Sequence, residues 1–283
     1  MPLANSTVGE PSRRGREIAH MFRKSRGLLS TRACDIGEIL EEADLVVAES
    51  ERDDPGYAAA LIRLQGGGGG IMIAANQAEG RRRFSLAHEL GHFFIPSHAK
   101  QGPSLRCADA DLRARSSDSK QLEWEANDFA SELLMPKRLY AEDAKHRPIS
   151  FETVAHLSHD DMYRVSRTAA AWRLVQITRE PCALVATRDG AIEWVARSDS
   201  FRHWIPERGQ QIRHGSVAAA LNRGEAKSDA AEQVDPQEWL DGDALDDIVV
   251  FESANPVPSQ RQIVSLIWVQ ERERSALGYD DQD

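Results

Sequence analysis

The stretch Phe84-Ser85-Leu86-Ala87-His88-Glu89-Leu90-Gly91-His92-Phe93-Phe94 decides how this chain is read. Leu86, Leu90 and Phe94 recur at spacings of four, which predicts a helix over residues 84–94 that stops near Pro96. Residues four apart share a helical face, so His88 and His92 present two imidazoles to one tetrahedral zinc ion. Glu89 projects beside them, where its carboxylate can serve as general base toward a water activated by the metal.

A catalytic zinc usually takes three protein ligands and keeps one open position. Three residues downstream can supply the third: His98, Glu123 and Glu125. His98 completes the spacing HExxHxxxxxH of the metzincins, but those enzymes bend the chain at a glycine where Ile95 stands here. Gln121–Met135 forms a second periodic helix ended by Pro136. With Leu122 set at zero, Glu123 falls at about 100°, inside the stripe of Ala126, Phe129, Ala130, Leu133 and Leu134, whereas Glu125 falls at about 300°, on its flank. A carboxylate among aliphatic side chains is costly unless a cation meets it. Glu123 is therefore the preferred third ligand, Asn127 one turn on is placed to steady it, and Glu125 reads as a solvated residue.

RRFSLAHELGHFF followed by LEWEANDFASELLMP resembles the ImmA/IrrE family of metallopeptidases over roughly residues 15–180. Two separate motifs agree in order and type. The resemblance implies a zincin-like α+β core and matches Glu123 to the family's third ligand. It also implies a protein substrate, typically a helix-turn-helix repressor cleaved to switch on stress or mobile-element genes.

Around these motifs the chain organises as follows. Residues 1–14 read as a flexible tail and residues 15–180 as the metallopeptidase domain. Residues 181–283 read as a C-terminal α/β or mostly β module, sensory by family analogy. Helices are expected at about 16–29 and at 36–42, the latter capped by Asp35, and strands at 45–47, 57–64 and 71–75. The glycine run Gly66–Gly70 lacks the Lys and Ser/Thr of a phosphate loop and reads as a hairpin connection. Ser97–Lys120 is polar and reads as a mobile loop; Cys107 within it is left out of the site. Beyond Pro181 come strands at 183–187 and 191–196 around the turn Asp189-Gly190, then at 248–252 and 262–269. Trp194, Trp204, Trp239 and Trp268 read as core residues of this module.

The 283 residues are 41% hydrophobic and 28% charged, an ordinary globular composition with no apolar run long enough to span a membrane. The net charge is −10, and the 15 acidic against 4 basic residues from Glu225 onward account for more than all of it, leaving the rest of the chain close to neutral. That balance argues against general affinity for nucleic acid or anionic membranes. Cys34, Cys107 and Cys182 form no CxxC pair, which fits a reducing compartment, the cytoplasm. Residues 151–174 have the rhythm of a helix-turn-helix in which Ser166, Arg167 and Thr168 would open a recognition helix. The alternative function is accordingly a DNA-binding regulator with a vestigial or structural zinc site. Arg164, Arg167 and Arg173 are too few to favour it, and helices packed behind the active site are the preferred reading.

Overall fold

Arg13–Ser25 (α1) and Ile36–Glu42 (α2) are helices, the second begun as its sequence requires. Asp35 Oδ1 accepts hydrogen bonds from the amides of Gly37 at 2.8 Å and Glu38 at 3.4 Å. The computed structural model describes residues 13–50, 57–101, 104–108, 117–225, 229–242 and 245–271. The expected tail over residues 1–12 lies outside them, and Arg13 and Arg14 already belong to α1. The chain is α+β and divides into two compact units. One takes the described residues up to His146 with Val154–Leu174; the other takes Arg147–Thr153 and the described residues from Val175 onward.

In the first unit, Leu45–Ser50 (β1), Tyr57–Arg63 (β2) and Gly69–Ala74 (β3) precede the helix Glu79–Phe94 (α3). Then come Ser104–Ala108 (β4) and the helices Ser117–Leu134 (α4) and Lys137–Ala144 (α5). The helices Phe151–Ser158 (α6) and Arg167–Ile177 (α7) follow, of which Val154–Ser158 and Arg167–Leu174 belong to this unit. The sheet order is β1-β3-β2-β4, with β1 parallel to β3 and the other pairs antiparallel. Ser97–Lys120 is thus not one continuous loop. Pro96–Gln101 is a 3-10 helix and β4 pairs its backbone with β2, a non-local pairing that a short polar stretch does not announce.

Leu61, Ile71 and Ile73 are buried, and α3 lies against β2 and β3. Its other side meets α4, so Ser85 through His92 are buried without a break. The helices nearly touch through their backbones: a Cβ added to Gly91 would stand 3.1 Å from both Cα and carbonyl oxygen of Ala126.

Helix α1 covers a second side of α4. Phe22 packs edge-on to Phe129 at 6.3 Å, and Arg16 pairs with Asp128 at 3.6 Å. Further anchors tie α4 and α5 to the first part of α7. Arg173 forms a buried ion pair with Glu132 and donates to the carbonyl of Met135 at 2.9 Å, and Tyr140 donates to the carbonyl of Ala170 at 2.7 Å. The helices with the helix-turn-helix rhythm are therefore real helices.

The second unit is mostly β. Cys182–Arg188 (β5), Ala191–Arg197 (β6), Glu232–Val234 (β7), Ile248–Val257 (β8) and Gln262–Glu271 (β9) form an antiparallel sheet ordered β6-β5-β9-β8-β7. Asp189 and Gly190 adopt the positive φ values, 50° and 79°, that a tight hairpin demands. The short helix Val217–Asn222 (α8) is fastened by the fully buried Glu252. This carboxylate accepts from the amides of Val217 at 2.7 Å and Ala218 at 2.9 Å, from Trp239 Nε1 at 2.7 Å and from Ser265 Oγ at 2.9 Å. Of the four tryptophans read as core, Trp239 is fully buried, Trp194 and Trp268 are half-buried, and Trp204 is 65% exposed. Trp204 lies outside any strand, so no period placed it.

The contact between α1 and α4 makes a prediction whose sign opposes helix propensity. Gly15→Ala adds a good helix former within α1, worth about 0.5–1 kcal/mol in isolation. Its Cβ, however, would stand 2.2 Å from the carbonyl oxygen of Glu125. The expected outcome in urea denaturation is a net loss of about 1–3 kcal/mol; unchanged or raised stability would contradict this packing.

A candidate metal centre

The near contact of α3 with α4 sets His88, His92 and Glu123 facing one another. His88 Nε2 lies 3.1 Å from His92 Nε2 and 3.2 Å from Glu123 Oε2, and His92 Nε2 lies 3.7 Å from the same oxygen. All three side chains are buried, and among the described residues they are the group of ligand atoms close enough together to hold a metal ion.

The donor set fits a four-coordinate ion. Donors bound tetrahedrally at about 2.0–2.1 Å stand about 3.3–3.4 Å apart, close to the three separations found. The electrostatics agree. Burial opposes ionisation of Glu123, but the close imidazoles of His88 and His92 hold its carboxylate well below the usual range. Burial pushes His92 down to about 4, which keeps its ring neutral. At His88 burial works the same way, yet Glu123 and Glu89 together outweigh it and raise the pKa. A proton on His88 and a bound cation are alternative ways of meeting the buried negative charge, so metal binding competes with protonation.

Glu89 is fully buried on the same helix, and its charge acts on His88. Asn127 does not steady Glu123 as the sequence suggested. Its Oδ1 accepts from His88 Nδ1 at 2.9 Å, leaving the Nε2 lone pair of that ring for the metal. Glu125 is not solvated: it is 3% exposed and lies 3.1 Å from His98 Nε2. Helical phase assigned it to a flank, but α1 covers that flank, a tertiary contact that periodicity within α4 cannot register.

His98 stays behind His92 rather than joining the ligand atoms. Ile95 leaves α3 in an extended conformation, φ −79° and ψ 113°, so no left-handed bend forms there. His98 Nδ1 then meets His92 Nδ1 at 2.9 Å. Sequence reasoning missed Arg63, whose guanidinium donates to the carbonyls of His92 and Phe93 and so caps the C-terminus of α3. Its only signal was a cation at the end of an otherwise apolar strand.

Residues 44–175 match the family model of the peptidase M78 group, described as the IrrE N-terminal-like domain. Among solved structures, a Mycobacterium tuberculosis transcriptional regulator is similar in fold, with a TM-score of 0.56 at 14% identity over 91% of this chain and 87% of that one. No curated protein matches the sequence.

Removing the carboxylate should empty the centre. Glu123→Ala is expected to lower zinc affinity by more than about 100-fold, beyond what loss of a supporting hydrogen bond causes. Trp124→Ala, changing the half-exposed neighbour, should retain one metal per chain. Metal content after dialysis against a weak chelator separates the two.

Proposed function

We propose that the chain, whose residues 44–175 match the IrrE N-terminal-like domain model, is a cytoplasmic zinc-dependent endopeptidase. The observation that carries the reading is the convergence of His88, His92 and Glu123, with ligand atoms 3.1–3.7 Å apart, beside the buried Glu89 of α3. In this reading the three residues hold zinc and residues 15–180 form the peptidase domain. When bound, the metal supplies a Lewis acid for the scissile carbonyl and lowers the pKa of water toward about 7. The chain's own part is to place charge and protons. Glu123 and the two imidazole nitrogens would hold the ion, and Asn127 orients His88. Glu89 accepts a proton from the attacking water at its carboxylate and returns it to the leaving amine.

The substrate class follows from the family resemblance: a helix-turn-helix repressor whose cleavage induces stress or mobile-element genes. The C-terminal unit, residues 181–283 in this assignment, would receive the signal that releases cleavage. Among the described residues no helix is long and apolar enough to cross a membrane.

The M. tuberculosis neighbour is named a transcriptional regulator, and the second reading of this chain is that of a DNA-binding regulator. The start of α7 bears on it. A Cβ on Gly80 of α3 would stand 2.5 Å from the carbonyl carbon of Val165 and the amide nitrogen of Ser166, so the turn opening the would-be recognition helix rests on α3. A recognition helix offers that end to the groove. Direct DNA binding is therefore the weaker reading.

Glu89→Gln tests the choice. It should bind zinc as the wild type does, while cleavage of a co-expressed repressor falls by a factor on the order of 10² or more. Wild-type cleavage by this variant would remove Glu89 from the mechanism; DNA retention by zinc-free protein would favour the regulator.

A further inference from the structure

Behind His92 runs a line of buried polar groups that the catalytic reading does not use. His92 Nδ1 lies 2.9 Å from His98 Nδ1, and His98 Nε2 lies 3.1 Å from Glu125 Oε2. His92 and His98 are fully buried, and Gln121 Nε2 donates to the other oxygen of Glu125 at 3.2 Å. The arrangement rests on two sequence features: Ile95 sends the chain out extended, and the 3-10 turn closes with His98 N donating to Ile95 O at 3.0 Å.

The protons along this line can be placed by requirement. If His92 offers Nε2 to a metal, its single proton sits on Nδ1. That N–H points at His98 Nδ1, which must then carry a lone pair. The proton of His98 is thereby fixed on Nε2, where it is donated to the Glu125 carboxylate. No other neutral arrangement satisfies all three groups while leaving His92 Nε2 free.

We propose that His98 and Glu125 are positioning residues for the metal centre, a two-step relay that fixes the tautomer and ring orientation of His92 and ends on a carboxylate. The proposal rests on the metallopeptidase reading above and deepens it. The two histidine ligands are braced unequally. His88 leans on the amide of Asn127 alone, whereas His92 leans on a longer line of hydrogen bonds that ends at the Glu125 carboxyl group, so its ring orientation depends on two further side chains. Arg63, bonded to the carbonyl of His92, holds the same turn from the sheet side.

The test uses the full chain, stripped of metal and titrated with Zn²⁺ and Co²⁺ against a competing chelator. His98→Ala should lower zinc affinity about 10- to 100-fold and alter the visible bands of bound Co²⁺, because the N–H of His92 loses its acceptor. His98→Asn should recover most of the affinity and the wild-type bands, since its amide oxygen falls where Nδ1 of the imidazole stood. Glu125→Gln keeps an acceptor without the charge and should lose less than His98→Ala. Wild-type affinity in His98→Ala, or no recovery in His98→Asn at equal thermal stability, would overturn the relay. If His98→Ala does not fold, His98→Asn with near wild-type affinity alongside a loss in Glu125→Gln supports it, and no loss in Glu125→Gln refutes it. A wild-type chain that takes up neither metal would instead defeat the metallopeptidase reading itself.

Discussion

A carboxylate buried against two imidazoles is the constraint around which the first unit is arranged. Glu123 cannot leave water without a compensating positive charge, and His88 and His92 cannot both be protonated where they lie. The cluster is stable only when a proton or a metal cation is shared among its members. The surrounding elements make that sharing unavoidable. The sheet presses α3 from one side, α4 from the other, and α1 closes the flank of α4 through which water would reach Glu125.

The helical face bearing His88, Glu89 and His92 was legible because their spacing is local. Glu123 was legible because a charge inside an apolar stripe is conspicuous. What sequence reading lost lies at a distance along the chain. The His98–Glu125 contact joins residues 27 apart, and strand β4 exists only by pairing with β2. Asn127 sits one helical turn from Glu123, yet serves a ring on another helix. Each error has one cause: periodicity describes how an element could be buried, not which neighbour buries it.

The second unit meets a similar problem with hydrogen-bond donors. Glu252 is as deeply buried as Glu89, and burial pushes its pKa upward against the pull of four hydrogen bonds. Its donors come from the start of α8, from the indole of Trp239 and from β9. One buried carboxylate thus stitches helix, loop and sheet together by dipoles alone, which is a structural use of the same expensive group.

The approach of α3 to α4 at Gly91 works as a gauge. Backbone contact there limits how far His88, His92 and Glu123 can separate. Calcium needs six to eight oxygens at about 2.3–2.6 Å, and a nitrogen-rich trio about 3.3 Å across cannot widen to provide them. Magnesium, which prefers oxygen and an octahedron, fares no better. Among first-row ions the gauge is blind, because copper or nickel would fit the same nitrogens and copper would bind more tightly. Which of them such a site would hold is a matter of supply: a spacing set by one glycine would select a class of ion, and the surroundings would select the member.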